Sequence, residues 1–146
     1  MIDHFGIQVD DLAAARAFYD AVLDPLGYAV VLDVGPALGY GPTGGHPQFW
    51  IGAATDPIPN RQSHIAFAAP DRDAVVAFYE LALAAGSESL HEPREWPEYH
   101  PGYFGAFVRD PDGNNVEAVH HTFPGAEPAD RSDRGEDSRT EAEDGG

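Results

Sequence analysis

Residues 4–23 read HFGIQVDDLAAARAFYDAVL, and residues 64–83 read HIAFAAPDRDAVVAFYELAL. Laid over each other at a spacing of 60, His4 falls on His64, Asp11 on Asp71, Ala14 on Ala74 and Ala17 on Ala77. The pair Phe18-Tyr19 falls on Phe78-Tyr79, and Leu23 on Leu83. Chance supplies an alanine or two, but rarely a His, an Asp and a Phe-Tyr pair in one register. The chain therefore holds two copies of one structural unit.

Each copy opens as a strand, because its apolar residues alternate. Phe5, Ile7 and Val9 fall on one face and His4, Gly6 and Gln8 on the other; Ile65 and Phe67 stand opposite His64, Ala66 and Ala68. The period then changes to that of a helix: Leu12, Ala15, Tyr19, Val22 and Leu26 in the first copy, Val75, Phe78, Tyr79 and Ala82 in the second. Asp10 or Asp11 and Asp71 stand where helices are capped, and Gly86 stands near the second helix's end. Three extended segments follow each helix, near 29–34, 37–41 and 48–53 and near 87–92, 103–109 and 115–121, with turns at 41–44 (GPTG) and 110–113 (DPDG). Each unit is thus βαβββ, an α+β arrangement. The helices should cover the outer, apolar face of the sheet and leave the histidine-bearing face free to curve around a cavity.

Outward from the repeat, composition bounds the rest. The chain has 146 residues, no cysteine and no lysine, and 8 Arg against 25 Asp+Glu give a net charge of −17. Disulfides, thiolate metal sites and cysteine nucleophiles are excluded. So strong an acidic balance argues against nucleic acid or anionic membrane as a partner. No apolar run is long enough to span a bilayer, and the start, MIDHFGIQVDD, lacks the basic and apolar regions of a signal peptide; a soluble cytoplasmic protein is expected. From Pro124 on there is no aromatic residue and no Val, Ile or Leu, so 124–146 is expected to be a disordered acidic tail. The two units, 1–60 and 61–123, are expected to form one compact body.

Chemistry converges on three residues. His4 and His64 hold equivalent inward-facing positions, and Glu117 lies inside the otherwise apolar strand NNVEAV (114–119). A buried carboxylate is costly unless paired or bound to a cation. Singly, each residue has a plainer reading, as hydrogen-bonded filler or an exposed edge. The symmetry of the two histidines favours a first-row metal site.

These features, with the two Phe-Tyr pairs and DPDGNNVE (110–117), resemble the vicinal oxygen chelate superfamily: glyoxalase I, bleomycin-resistance proteins and extradiol dioxygenases. The resemblance covers about residues 1–123. It implies paired βαβββ modules forming a U-shaped mixed sheet around a divalent metal (Fe, Zn, Ni, Mn or Co), held by His4, His64 and Glu117, and a homodimer. It also implies a fourth ligand in the first module. Aligning GPTGGHPQ (41–48) with DPDGNNVE places Gln48 there, whereas a shift of two places Trp50 there, which cannot ligate. His46 lies in the turn.

Trp50, Trp96, Tyr99, His100 and Tyr103 supply aromatic and polar surface for a small substrate, with 93–103 (PREWPEYHPGY) expected as a loop over the cavity because it is rich in proline. The implied function is metal-dependent isomerase, lyase or dioxygenase chemistry on a small molecule with vicinal oxygens. In the lyase case Glu117 is the candidate base. The alternative is metal-free sequestration of a small molecule or antibiotic by the aromatic surface.

Overall fold

A computed structural model describes residues 2–122, so the expected tail at 124–146 lies outside the described residues. The order is β1 (Phe5–Val9), α1 (Leu12–Leu23), a short 3-10 turn (Asp24–Leu26), β2 (Tyr28–Asp33), β3 (Ala37–Pro42) and β4 (Phe49–Ala53). It then repeats as β5 (His64–Ala68), α2 (Arg72–Ala84), β6 (Ser89–Glu95), β7 (Tyr103–Arg109) and β8 (Asn115–His121). The strands form two four-stranded mixed sheets, ordered β1-β4-β3-β2 and β5-β8-β7-β6. The architecture is α+β, and the second copy repeats the first.

Both helices start where an aspartate can satisfy free backbone N–H groups. Asp11 accepts from the N–H groups of Ala13 and Ala14, and Asp71 from that of Ala74. α1 then buries Phe18, Tyr19, Val22 and Leu23 beside Leu38, Tyr40, Phe49 and Ile51 of its sheet. α2 buries Val75, Phe78 and Ala82 in the same core as Ala106, Val108, Val116 and Ala118. Removing this much apolar surface from water is the main stabilising term. The two copies meet through α1 packed on α2, through the Tyr19 hydroxyl donating to Asp110 Oδ2 at 2.7 Å, and through Phe67 set edge-on to Phe49 and Tyr28. Among the described residues no helix is long and apolar enough to cross a membrane.

Two local expectations are corrected. β6 continues past Pro93 to Glu95, so the loop shortens to 96–102. Proline is tolerated there because β6 is an edge strand and its register with β7 shifts between His91 and Arg94. His4 stands one residue before β1, whereas His64 opens β5.

Candidate functional site

Residues opposite each other in a ladder share a face. Glu117 of β8 lies between Ala66 of β5 and Phe107 of β7. One step along β8, Asn115 pairs with His64. Alternation along β7 adds Tyr103 and Gly105 to the same face, which is opposite the side packed on α2.

Glu117 is 1% exposed, so each carboxylate oxygen needs a partner. Tyr103 donates its hydroxyl to Oε1 at 2.5 Å. His64 Nε2 lies 3.2 Å from Oε2. Burial raises the carboxyl's proton affinity; the Tyr103 hydrogen bond and His64 oppose that rise. The Tyr103 phenol is pushed well above its ordinary value by burial and then by Glu117, so it remains a donor. Gly105 leaves room for the carboxylate, since a Cβ there would stand 2.9 Å from Oε1.

Aromatic rings close a circuit around this carboxylate. His64 stacks on Phe107 at 6.1 Å. Phe107 meets Trp96 at 5.1 Å, Trp96 stacks on Tyr99 at 5.5 Å, and Tyr99 meets Tyr103 at 5.0 Å. The Trp96 indole N–H donates to the Gly105 carbonyl at 3.0 Å, and the Arg94 guanidinium covers the indole's ring at 3.4 Å. His91 adds an edge to Trp96 and Phe107. On the far side of Tyr103, His100 Nε2 and His121 Nδ1 are hydrogen-bonded at 3.0 Å. Arg94 and Arg109 are paired with Glu98 and Glu88.

The expected site residues thus fall into two groups. Glu117, His64, Tyr99, His100 and Tyr103 come together on the second sheet. Trp50 and Gln48 belong with the first sheet, where Trp50 lies against Gly39 and Gln48 is exposed. The register also corrects the alignment that put Gln48 opposite Glu117. Gly6 pairs with Trp50 as Ala66 pairs with Glu117, so Trp50 holds the equivalent place. His4 is 61% exposed and its Nδ1 is 2.7 Å from Asp3 Oδ1. Among the described residues no group of three or more His, Cys, Asp or Glu is arranged to hold a metal ion.

As donors for a divalent cation, His64 Nε2 and Glu117 Oε2 fit: both are of the type a first-row ion takes, and they converge. The Gly105 cradle seats the carboxylate. The buried Asn115 Oδ1 has no hydrogen-bond partner and stands on the same face. Among the described residues the fit is two donors. Phe107, Gly105 and His91 were missed from the sequence, although the period-two pattern from Tyr103 marks Gly105 and Phe107.

Residues 1–118 match the model of the Glyoxalase/Bleomycin resistance protein/Dioxygenase superfamily. A glyoxalase/bleomycin resistance protein from Albidiferax ferrireducens is similar in structure, with TM-score 0.70 and 28% identity over 81% of this chain and 97% of that one. A lactoylglutathione lyase from Agrobacterium tumefaciens gives TM-score 0.58 and 28% identity over 82% and 92%. A glyoxalase/dioxygenase from Nostoc punctiforme shares the fold at TM-score 0.62 and 19% identity over 84% and 92%. Comparison with curated proteins yields no match. A matching model that spans most of the chain, on a twice-repeated βαβββ fold, means that this protein belongs to the Glyoxalase/Bleomycin resistance protein/Dioxygenase superfamily.

Proposed function

We propose that the protein is a metal-dependent enzyme acting on a small molecule with vicinal oxygens, by isomerase, lyase or dioxygenase chemistry, and that its site is completed between two copies of the chain. The observation that carries this reading is Glu117: a carboxylate 1% exposed, in an apolar strand, whose Oε2 meets an imidazole nitrogen. The lactoylglutathione lyase among the structural relatives supports the lyase branch.

His64 and Glu117 would hold the ion, with His4 of the partner subunit as the third donor. Two observations support a second copy. Among the described residues, His4 and the His64–Glu117 pair are not gathered into one metal-holding group. β1 and β5, which begin at or beside these histidines, each border a sheet and carry no Asp, Glu, Lys or Arg. Uncharged edges of this kind are templates for pairing with another chain.

A bound divalent cation would supply Lewis-acid stabilisation of developing negative charge on the substrate's oxygens. The chain's own side chains do the rest. Tyr103 holds Oε1, His64 and Glu117 Oε2 mark where the substrate's oxygens approach, and Phe107 and Trp96 supply apolar surface beside them. Burial favours the protonated form of Glu117, so it could accept a proton from carbon in the lyase branch.

The competing reading is metal-free sequestration on the aromatic circuit. Metal analysis of protein purified without chelator, with and without added Zn2+, Ni2+, Co2+, Mn2+ and Fe2+, separates the two. The metal reading expects stoichiometric ion in the wild type, lost in His64→Ala and in His4→Ala, and a dimer by light scattering. A wild type that binds none of these ions would leave sequestration.

A further inference from the structure

We infer that Tyr103 is a positioning residue: its hydroxyl locks Oε1 of Glu117, so that the carboxylate presents one oxygen, Oε2, beside His64. The inference rests on the reading of Glu117 as the acidic donor of the site. A free carboxylate offers a cation either one oxygen or both. Here Oε1 is committed twice over. The Tyr103 hydroxyl reaches it at 2.5 Å, and the backbone of Gly105 backs it so closely that a Cβ would stand 2.9 Å away. Both supports are themselves held. The Tyr103 ring is fixed between Tyr99 at 5.0 Å, His100 at 5.2 Å and His121 at 4.9 Å, so the direction of its hydroxyl is set. The Gly105 carbonyl is pinned by the Trp96 indole. Hydroxyl and backbone act on one oxygen and leave the other toward His64. Single-oxygen presentation occupies fewer positions around a cation than chelation by both, and so leaves more of them for the substrate.

The test is carbon-13 NMR of the metal-free full chain, labelled at the glutamate carboxyl carbon and held at one neutral pH. The Glu117 signal is identified by its loss in Glu117→Gln. Tyr103→Phe is expected to move that signal. Tyr79→Phe, which deletes a hydroxyl hydrogen-bonded to Ser89 at 2.8 Å, is expected to leave it in place. Gly105→Ala keeps the Tyr103 hydroxyl but sets a Cβ 2.9 Å from Oε1 and 3.2 Å from the Tyr103 ring, and should move the signal too. It carries the test if Tyr103→Phe does not fold. A second arm adds Co2+: Tyr103→Phe should weaken binding by about 10- to 100-fold, as loss of an outer partner does, and alter the ion's visible absorption. An unmoved Glu117 signal in a folded Tyr103→Phe or Gly105→Ala overturns the positioning role. A wild type that takes up neither Co2+ nor any of the other four ions overturns the metal reading instead, while a moved signal still upholds the hold on Oε1.

Discussion

Glu117 and Asn115 face the same way from one strand, yet their physics differs. Glu117 is buried and paired, and burial raises its proton affinity above that of an ordinary glutamate, 4.5. In that window the folded metal-free chain binds more protons than the unfolded chain. The group's contribution to stability is therefore present in acid and is lost as pH rises from 4.5 through the raised value. Urea midpoints followed from acid to neutral pH should show this downward component in the wild type, and Glu117→Gln should remove it. An identical pH profile in the variant would refute the assignment. Asn115 Oδ1 is buried with no partner in the metal-free chain. Leaving a buried acceptor unsatisfied costs about 1–3 kcal/mol, and Asn115→Ala removes that acceptor. Asn115→Ala should therefore hold or raise the stability of the metal-free chain by denaturation.

The helices owe their starts to one residue and their stability to another set. Asp71 satisfies one N–H at the mouth of α2, whereas Phe78 is fully buried in the core. Asp71→Ala should cost about 1 kcal/mol, and Phe78→Ala about 3–5 kcal/mol, both read from urea denaturation. If the cap mattered as much as the ring, the account of α2 as a helix held by tertiary packing would be wrong. The strands show the same division. β7 and β8 occupy the residues their alternation predicts, while β6 outran its predicted end because an edge strand with a register shift tolerates Pro93.

Across the whole molecule, the chain carries a net charge of −17. Self-repulsion of that size opposes compaction, and salt screens it. Melting temperature should rise as NaCl is raised from low to molar concentration; a flat response would mean that repulsion is not a stability term. Assembly tests the open edges. Ala68 is exposed on β5, so Ala68→Lys should leave the fold of the single chain intact. A lysine on an edge strand blocks strand addition. On the proposed dimer, light scattering should find dimer for the wild type and monomer for this variant, with metal uptake reduced along with it.

The amino-acid sequence by itself determined the duplication, the order of elements, and the face each side chain takes along its own strand. These are properties of spacing, because side chains alternate with period two and helices repeat near 3.6. His64 and Glu117 were legible as candidate ligands for that reason, in a group that also held His4, while Tyr103 was legible only as surface for a substrate. Tertiary structure alone decided three further things. The β1–β4 register put Trp50, not Gln48, at the place equivalent to Glu117. The Tyr103 hydroxyl found Oε1 across a strand pair. And among the described residues His4 does not join His64 and Glu117 in one metal-holding group; how one copy sits on the other is set by α1 on α2, by Phe67 on Phe49 and by the Tyr19–Asp110 hydrogen bond. Contacts between residues this far apart in the chain leave no period in the sequence from which to read them.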